Sequence, residues 1–167
     1  MAEVTGNATV IALGRPWSGE IADRSGDLLD TSFGWTDITR LRGLVTRHCA
    51  AAGLTGTRLD DFVLAVHEIS ANAVVHAGAG GRLVLRRVAD GLRCLIADTI
   101  PKTPKVPKTP PAGLAPGHGD DGQALAGGAG EPAESGPGLW LAATLADDLS
   151  ITSGPVSTIV SLFMRLD

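Results

Sequence analysis

The clearest pattern in the chain is an apolar repeat of three to four residues running up to His76. Phe62, Val66, Ile69 and Ala73 fall on one side of a helical wheel, with Leu59 and Val63 beside them. This predicts a helix that starts at "TRLD", with Thr57 and Asp60 as a short-armed capping box, and ends before "AGAGG". A second helix is predicted over "WTDITRLRGLVTRHCAAAGL". There Ile38, Leu41, Val45, Cys49 and Ala52 share a face, Thr36 or Asp37 can cap the start, and Gly53 suits the C-terminal end.

Elsewhere the period shortens towards two. "RLVLRRVA" and "LRCLIAD" read as strands joined across Asp90-Gly91, a strong hairpin signal. "LSITS" and "VSTIVSLFMRL" read as another strand pair with Gly-Pro at the turn, and "GPGLWLAATLADDL" as a glycine turn running into a helix. Near the N-terminus "ATVIALG" and "DLLDTSF" can be strands, separated by the polar, Gly-containing loop "SGEIADRSG". Hairpins interleaved with helices predict an α+β fold: a two-layer sandwich whose mostly antiparallel sheet is covered by helices on one face.

A length of 167 residues suits one domain, and 44 % apolar residues can bury a core. The net charge of −4 argues against a nucleic-acid footprint. Cys49 and Cys94 lie far apart in apolar surroundings and read as reduced core residues of a cytoplasmic protein. No basic n-region precedes the first apolar run, so no signal peptide is expected. No apolar run approaches the ~20 residues of a membrane span. From Thr99 to Ser135 the composition turns to Pro, Gly and Ala with almost no large apolar residue. Such a stretch cannot offset its ordering entropy by burial and is expected to be functional or disordered. Lys102, Lys105 and Lys108 recur in it among prolines.

The longer helix carries polar residues that a purely core-packing helix would not need: His67, Glu68, Asn72 and His76. Asp61, Glu68, Asn72 and His76 fall in a wedge of roughly 80° off the apolar face, while His67 points elsewhere. A carboxylate, an amide and an imidazole stacked turn above turn can hold a hydrated divalent cation or set a proton acceptor beside a polar ligand. The same stripe can also be a plain solvated face. A zinc-protease motif is excluded, because position 71 is Ala where a second His would be required. Downstream come a strand-terminal Asp98, the long Pro/Gly-rich segment, and a helix opened by Gly136 and Gly138. A helix N-terminus with nearby glycines suits phosphate.

In this order the motifs resemble those of the GHKL, or Bergerat-fold, ATP-binding domain shared by histidine kinases and gyrase-type ATPases. The nearest resemblance is to stand-alone bacterial anti-sigma factor serine/threonine kinases of actinobacterial type. "LAVHEISANAVVHAG" resembles the asparagine box, "CLIAD" the strand entering the first glycine box, and "GPGLWLAATLADDLSI" the second glycine box. The resemblance covers residues 33–167, leaving 1–32 as an N-terminal extension that can add one or two strands.

What the resemblance implies is specific. Glu68 is the general base for an attacking hydroxyl, Asn72 a ligand of Mg²⁺ through the ATP phosphates, and Asp98 the acceptor for the adenine amino group. Gly136, Gly138 and Leu139 close on the phosphates, residues 99–135 form the ATP lid, and His76 ends the asparagine-box helix at the nucleotide. The implied partners are a sigma factor and an anti-anti-sigma antagonist of STAS type, with no direct nucleic acid or membrane contact and with a homodimer among the admissible assemblies. One departure stands out: Asp98 is followed by "TIPKTPKVP" instead of Asp-x-Gly-x-Gly. That leaves open a non-catalytic partner-binding module on the same fold, with ATP binding weak or lost.

Overall fold

Leu83 and Leu85 on one strand, Leu92, Cys94 and Ile96 on the next, and Val160, Leu162 and Met164 on a third alternate with residues of the opposite face, and all eight are buried. That alternation builds the sheet seen in a computed structural model, which describes residues 3–5, 8–12, 26–77, 80–98, 137–153 and 157–166. The strands are β1 (Glu3–Thr5), β2 (Ala8–Ala12), β3 (Asp27–Phe33), β4 (Gly81–Val88), β5 (Gly91–Asp98), β6 (Asp148–Ser153) and β7 (Thr158–Arg165). They form a seven-stranded sheet in the order β1-β2-β6-β7-β5-β4-β3. From β6 to β3 every neighbouring pair is antiparallel, and β2 joins β6 in parallel.

Three helices, α1 (Ile38–Ala51), α2 (Gly56–Ala77) and α3 (Pro137–Leu145), share one apolar core with the sheet. Leu41, Val45 and Cys49 of α1, Phe62, Val66 and Ile69 of α2, and Leu139 and Ala142 of α3 meet the buried residues of β4 to β7. This is the α+β two-layer sandwich that the hydrophobic pattern predicts. A smaller buried cluster, Val84, Leu95, Ala97 and Ile159, comes from the alternate strand positions. Both cysteines are free and buried. Among the described residues no helix is long and apolar enough to cross a membrane.

Local chemistry explains the element ends. A 3-10 turn, Trp35–Asp37, leads into α1, and Asp37 accepts the Gly34 N–H at 3.0 Å through Oδ2, so its carboxylate serves the preceding turn instead of capping the helix. Gly53 ends α1 with φ of 102°, a conformation that suits glycine. The Gly53 N–H reaches Ala50 O and the Leu54 N–H reaches Cys49 O, each at 3.0 Å, which is a Schellman closure with buried Leu54 as its apolar contact.

Two local expectations are corrected. The predicted capping box at Thr57 and Asp60 does not form the start of α2: the helix already begins at Gly56, and Leu59 N–H bonds to Thr55 O at 3.3 Å. The β4–β5 hairpin closes on the Val88–Gly91 pair, so its two loop residues are Ala89 and Asp90, and Gly91 belongs to the strand. Gly91 answers a different need. A Cβ there would lie 2.2 Å from Met164 O and 2.8 Å from Phe163 Cε2, so β7 passes too close for a side chain. Phe33, where the resemblance to the ATP-binding domain begins, is the last residue of β3, which pairs with β4.

Candidate functional site

Glu68 and Asn72 are four residues apart on α2, so their side chains stack on one face. Both are half-buried, which is already unlike a freely solvated stripe. The reason is α3. This helix opens with Pro137 at its first position, where a missing N–H costs nothing, and places Gly138 against α2. A Cβ built on Gly138 would lie 2.7 Å from Glu68 Oε2, 3.2 Å from Asn72 Nδ2 and 3.3 Å from Glu68 Cβ. Glu68, Asn72 and Gly138 therefore meet, although the first two and the third come from distant parts of the chain.

The electrostatics of this meeting point follow from the helix end. In the first turn of α3 the main-chain N–H groups have no acceptor within the helix, and the positive end of the helix dipole lies there. A carboxylate and an amide are thus set beside a cluster of donors. Leu139 is buried in the core through its side chain, so what it can offer a ligand is its main-chain N–H.

Asp98 is the last residue of β5 and is half-buried. The ladder sets it between Gly81 of β4 and Thr158 of β7. Thr158 is only 3 % exposed, and its Oγ1 lies 3.3 Å from Ser153 Oγ. Thr158, Val160, Leu162 and Met164 alternate along β7, so Asp98 and Thr158 belong to the sheet face that carries the helices. Sequence reasoning missed Thr158. Its signal is a hydroxyl standing where the period-two pattern of β7 calls for an apolar residue.

The remaining candidates are placed as follows. His76 lies in the last turn of α2, with its side chain outside the described residues. Gly136 and the lid segment 99–135 lie outside the described residues as well. His67 sits apart from the stripe, half-buried, with Nδ1 buried and without a hydrogen-bond partner among the described residues.

No group of three or more His, Cys, Asp or Glu among the described residues could hold a metal ion by itself. Mg²⁺ does not need one, since it commonly uses one or two protein ligands together with substrate phosphates. Because Gly138 lacks a Cβ, the Glu68 carboxylate and the Asn72 amide pack directly against the first turn of α3, and an oxygen donor set of this kind suits a cation that is also held by phosphates. Residues 35–164 match the family described as histidine kinase-like ATPase domain. No curated protein matches the chain.

Proposed function

The chain belongs to the histidine kinase-like ATPase family, and from that membership, which carries ATP binding with it, we propose an ATP-dependent serine/threonine protein kinase of the anti-sigma factor type. In this reading the protein binds a sigma factor and is switched by phosphorylating an anti-anti-sigma antagonist. The observation that carries the reading is the contact of Glu68 and Asn72 with the opening turn of α3. A carboxylate held next to an amide suits a proton acceptor adjacent to a cation ligand, and the free N–H groups of the turn suit phosphate.

The roles divide among this chain's residues. Bound ATP would supply the phosphoryl group, and a Mg²⁺ ion held with it would offset its charge. Asn72 offers its side-chain oxygen to the cation. Asp98 accepts from the adenine amino group, with Thr158 beside it on the neighbouring strand. Glu68 takes the proton of the Ser or Thr hydroxyl as that oxygen bonds to the γ-phosphorus and the bond from this phosphorus to the bridging oxygen breaks to release ADP, and its half-burial keeps the carboxylate from being fully hydrated.

The test is Glu68→Gln, assayed with an antagonist protein as acceptor. Binding of Mg·ATP should persist while phosphotransfer falls by ~10²–10⁴-fold. Full transfer by this variant would refute the role of Glu68. The proline-rich sequence after Asp98 favours the second reading, a partner-binding module without chemistry. A wild-type protein that fails to bind Mg·ATP at millimolar concentration would decide for it.

A further inference from the structure

Position 138 lies in the first turn of a helix, and its backbone does not ask for glycine. Positive φ among the described glycines occurs at Gly53, Gly56 and Gly80, not at Gly138. Alanine is the better helix former, so local energetics would favour a methyl group there. The neighbours forbid it. A Cβ at 138 would stand 2.7 Å from Glu68 Oε2, well inside contact distance, and 3.2 Å from Asn72 Nδ2.

The nature of the obstacle decides the consequence. At Gly91 the nearest atom is Met164 O, part of the β7 backbone, which cannot retreat without breaking the ladder. At Gly138 the nearest atom is the far end of a flexible side chain. The Glu68 carboxylate can swing away by changing rotamer, while the Asn72 amide at 3.2 Å and Glu68 Cβ at 3.3 Å must each give by a few tenths of an ångström, the latter through a small shift of α2 against α3.

We infer that Gly138 is a positioning residue: its bare Cα is the seat that fixes the Glu68 carboxylate and the Asn72 amide, and glycine is required there for that alignment and not for the fold. The alignment of Glu68 is thereby tied to the first turn of α3, 70 residues later in the chain (138 − 68). The inference rests on the reading of Glu68 as the proton acceptor for its functional meaning, but its geometry can be tested without it.

The experiment uses the full chain labelled with ¹³C-glutamate, with the Glu68 carboxyl resonance assigned by its loss in Glu68→Gln. Gly138→Ala should move that resonance while the melting temperature changes by no more than a few degrees, the helix propensity of alanine offsetting the small shift that Glu68 Cβ requires. An unmoved resonance overturns the inference. A melting temperature that falls further than this in Gly138→Ala and is not restored in the Glu68→Ala/Gly138→Ala double variant also overturns it, because the glycine would then be needed by the backbone. A fall that the double variant restores supports it. With an antagonist substrate, Gly138→Ala should lower kcat by about 10²-fold, the typical effect of misplacing a reacting group, with KM for ATP changed only a few-fold. A KM effect with unchanged kcat overturns the positioning role. If wild type binds no Mg·ATP, the kinase reading fails, and the free-protein resonance still decides what Gly138 does.

Discussion

Asp98 and Thr158 face one another across the antiparallel β5–β7 ladder, at the end of the sheet where its apolar alternation stops. The register makes them a pair, and Thr158 is buried at a position where the neighbouring β7 residues of the same face are apolar. The two should act together on the adenine edge. Asp98→Ala should weaken Mg·ATP binding by ~10–100-fold, the cost of losing a hydrogen bond to a charged group. GTP binding should change little, because guanine carries a carbonyl where adenine has its amino group. Thr158→Val, nearly isosteric, should cost less, about three- to tenfold. Isothermal calorimetry with both nucleotides checks this, and equal loss for ATP and GTP would remove Asp98 from adenine recognition.

Asp147 ties three elements together. Its Oδ2 accepts from the Arg58 guanidinium at 2.6 Å and from the Arg165 main-chain N–H at 2.7 Å, and Arg58 also donates to Arg165 O at 2.9 Å. Burial acts to raise the Asp147 pKa, but the hydrogen bonds from Arg165 and Arg58 outweigh it and hold the carboxyl below its ordinary value of 3.8. A depressed folded-state pKa stabilises the fold above the unfolded pKa, and this contribution is lost as pH falls through the folded value. Asp147→Asn should therefore cost about 1 kcal/mol near neutrality, or roughly 2–4 °C in Tm, since the pair is partly exposed. The gap between wild type and variant should close as the pH drops below about 4. Melting curves from pH 7 down to acid check the sign, and a gap that widens in acid would exclude the mechanism.

The two cysteines are predicted to be chemically silent in the folded protein. Burial pushes the Cys49 thiol up to about 12, and burial, aided by the proximity of Cys49, raises Cys94 well above its ordinary value. Thiolate is the reactive form, so neither should react with a thiol reagent at pH 8 in the native state. Both should react fully in denaturant. Rapid labelling of either one in native protein would show that the α1–β5 packing opens readily.

Gly91 and Gly43 should respond oppositely to alanine. At Gly91 a Cβ meets β7 backbone at 2.2 Å, so Gly91→Ala should destabilise the fold by about 1–3 kcal/mol through overpacking, or more if the strand cannot shift. At Gly43, on an exposed part of α1, a Cβ meets nothing within 4 Å, so Gly43→Ala should stabilise by about 0.5–1 kcal/mol through helix propensity. Urea unfolding of both variants measures the difference. Similar effects in the two would contradict the close approach at Gly91.

Local periodicity and local termination are written in the chain itself. The strand Asp27–Phe33 coincides with the segment whose residue types predict it, Gly53 ends α1 by its own conformational freedom, and the apolar face of α2 becomes its buried face. Glu68 and Asn72 share a stripe because four residues make about one helical turn. These are properties of residues within one or two turns of each other, so they can be read without the fold. Only tertiary structure brings Gly138 onto Glu68, sets Thr158 opposite Asp98 and gives Gly91 its reason, because each depends on how separate elements pack and register. The Asp90-Gly91 signal shows the difference most plainly. A local rule reads that glycine as a turn residue, while the approach of a strand more than 70 residues away makes it a strand residue that must lack a side chain.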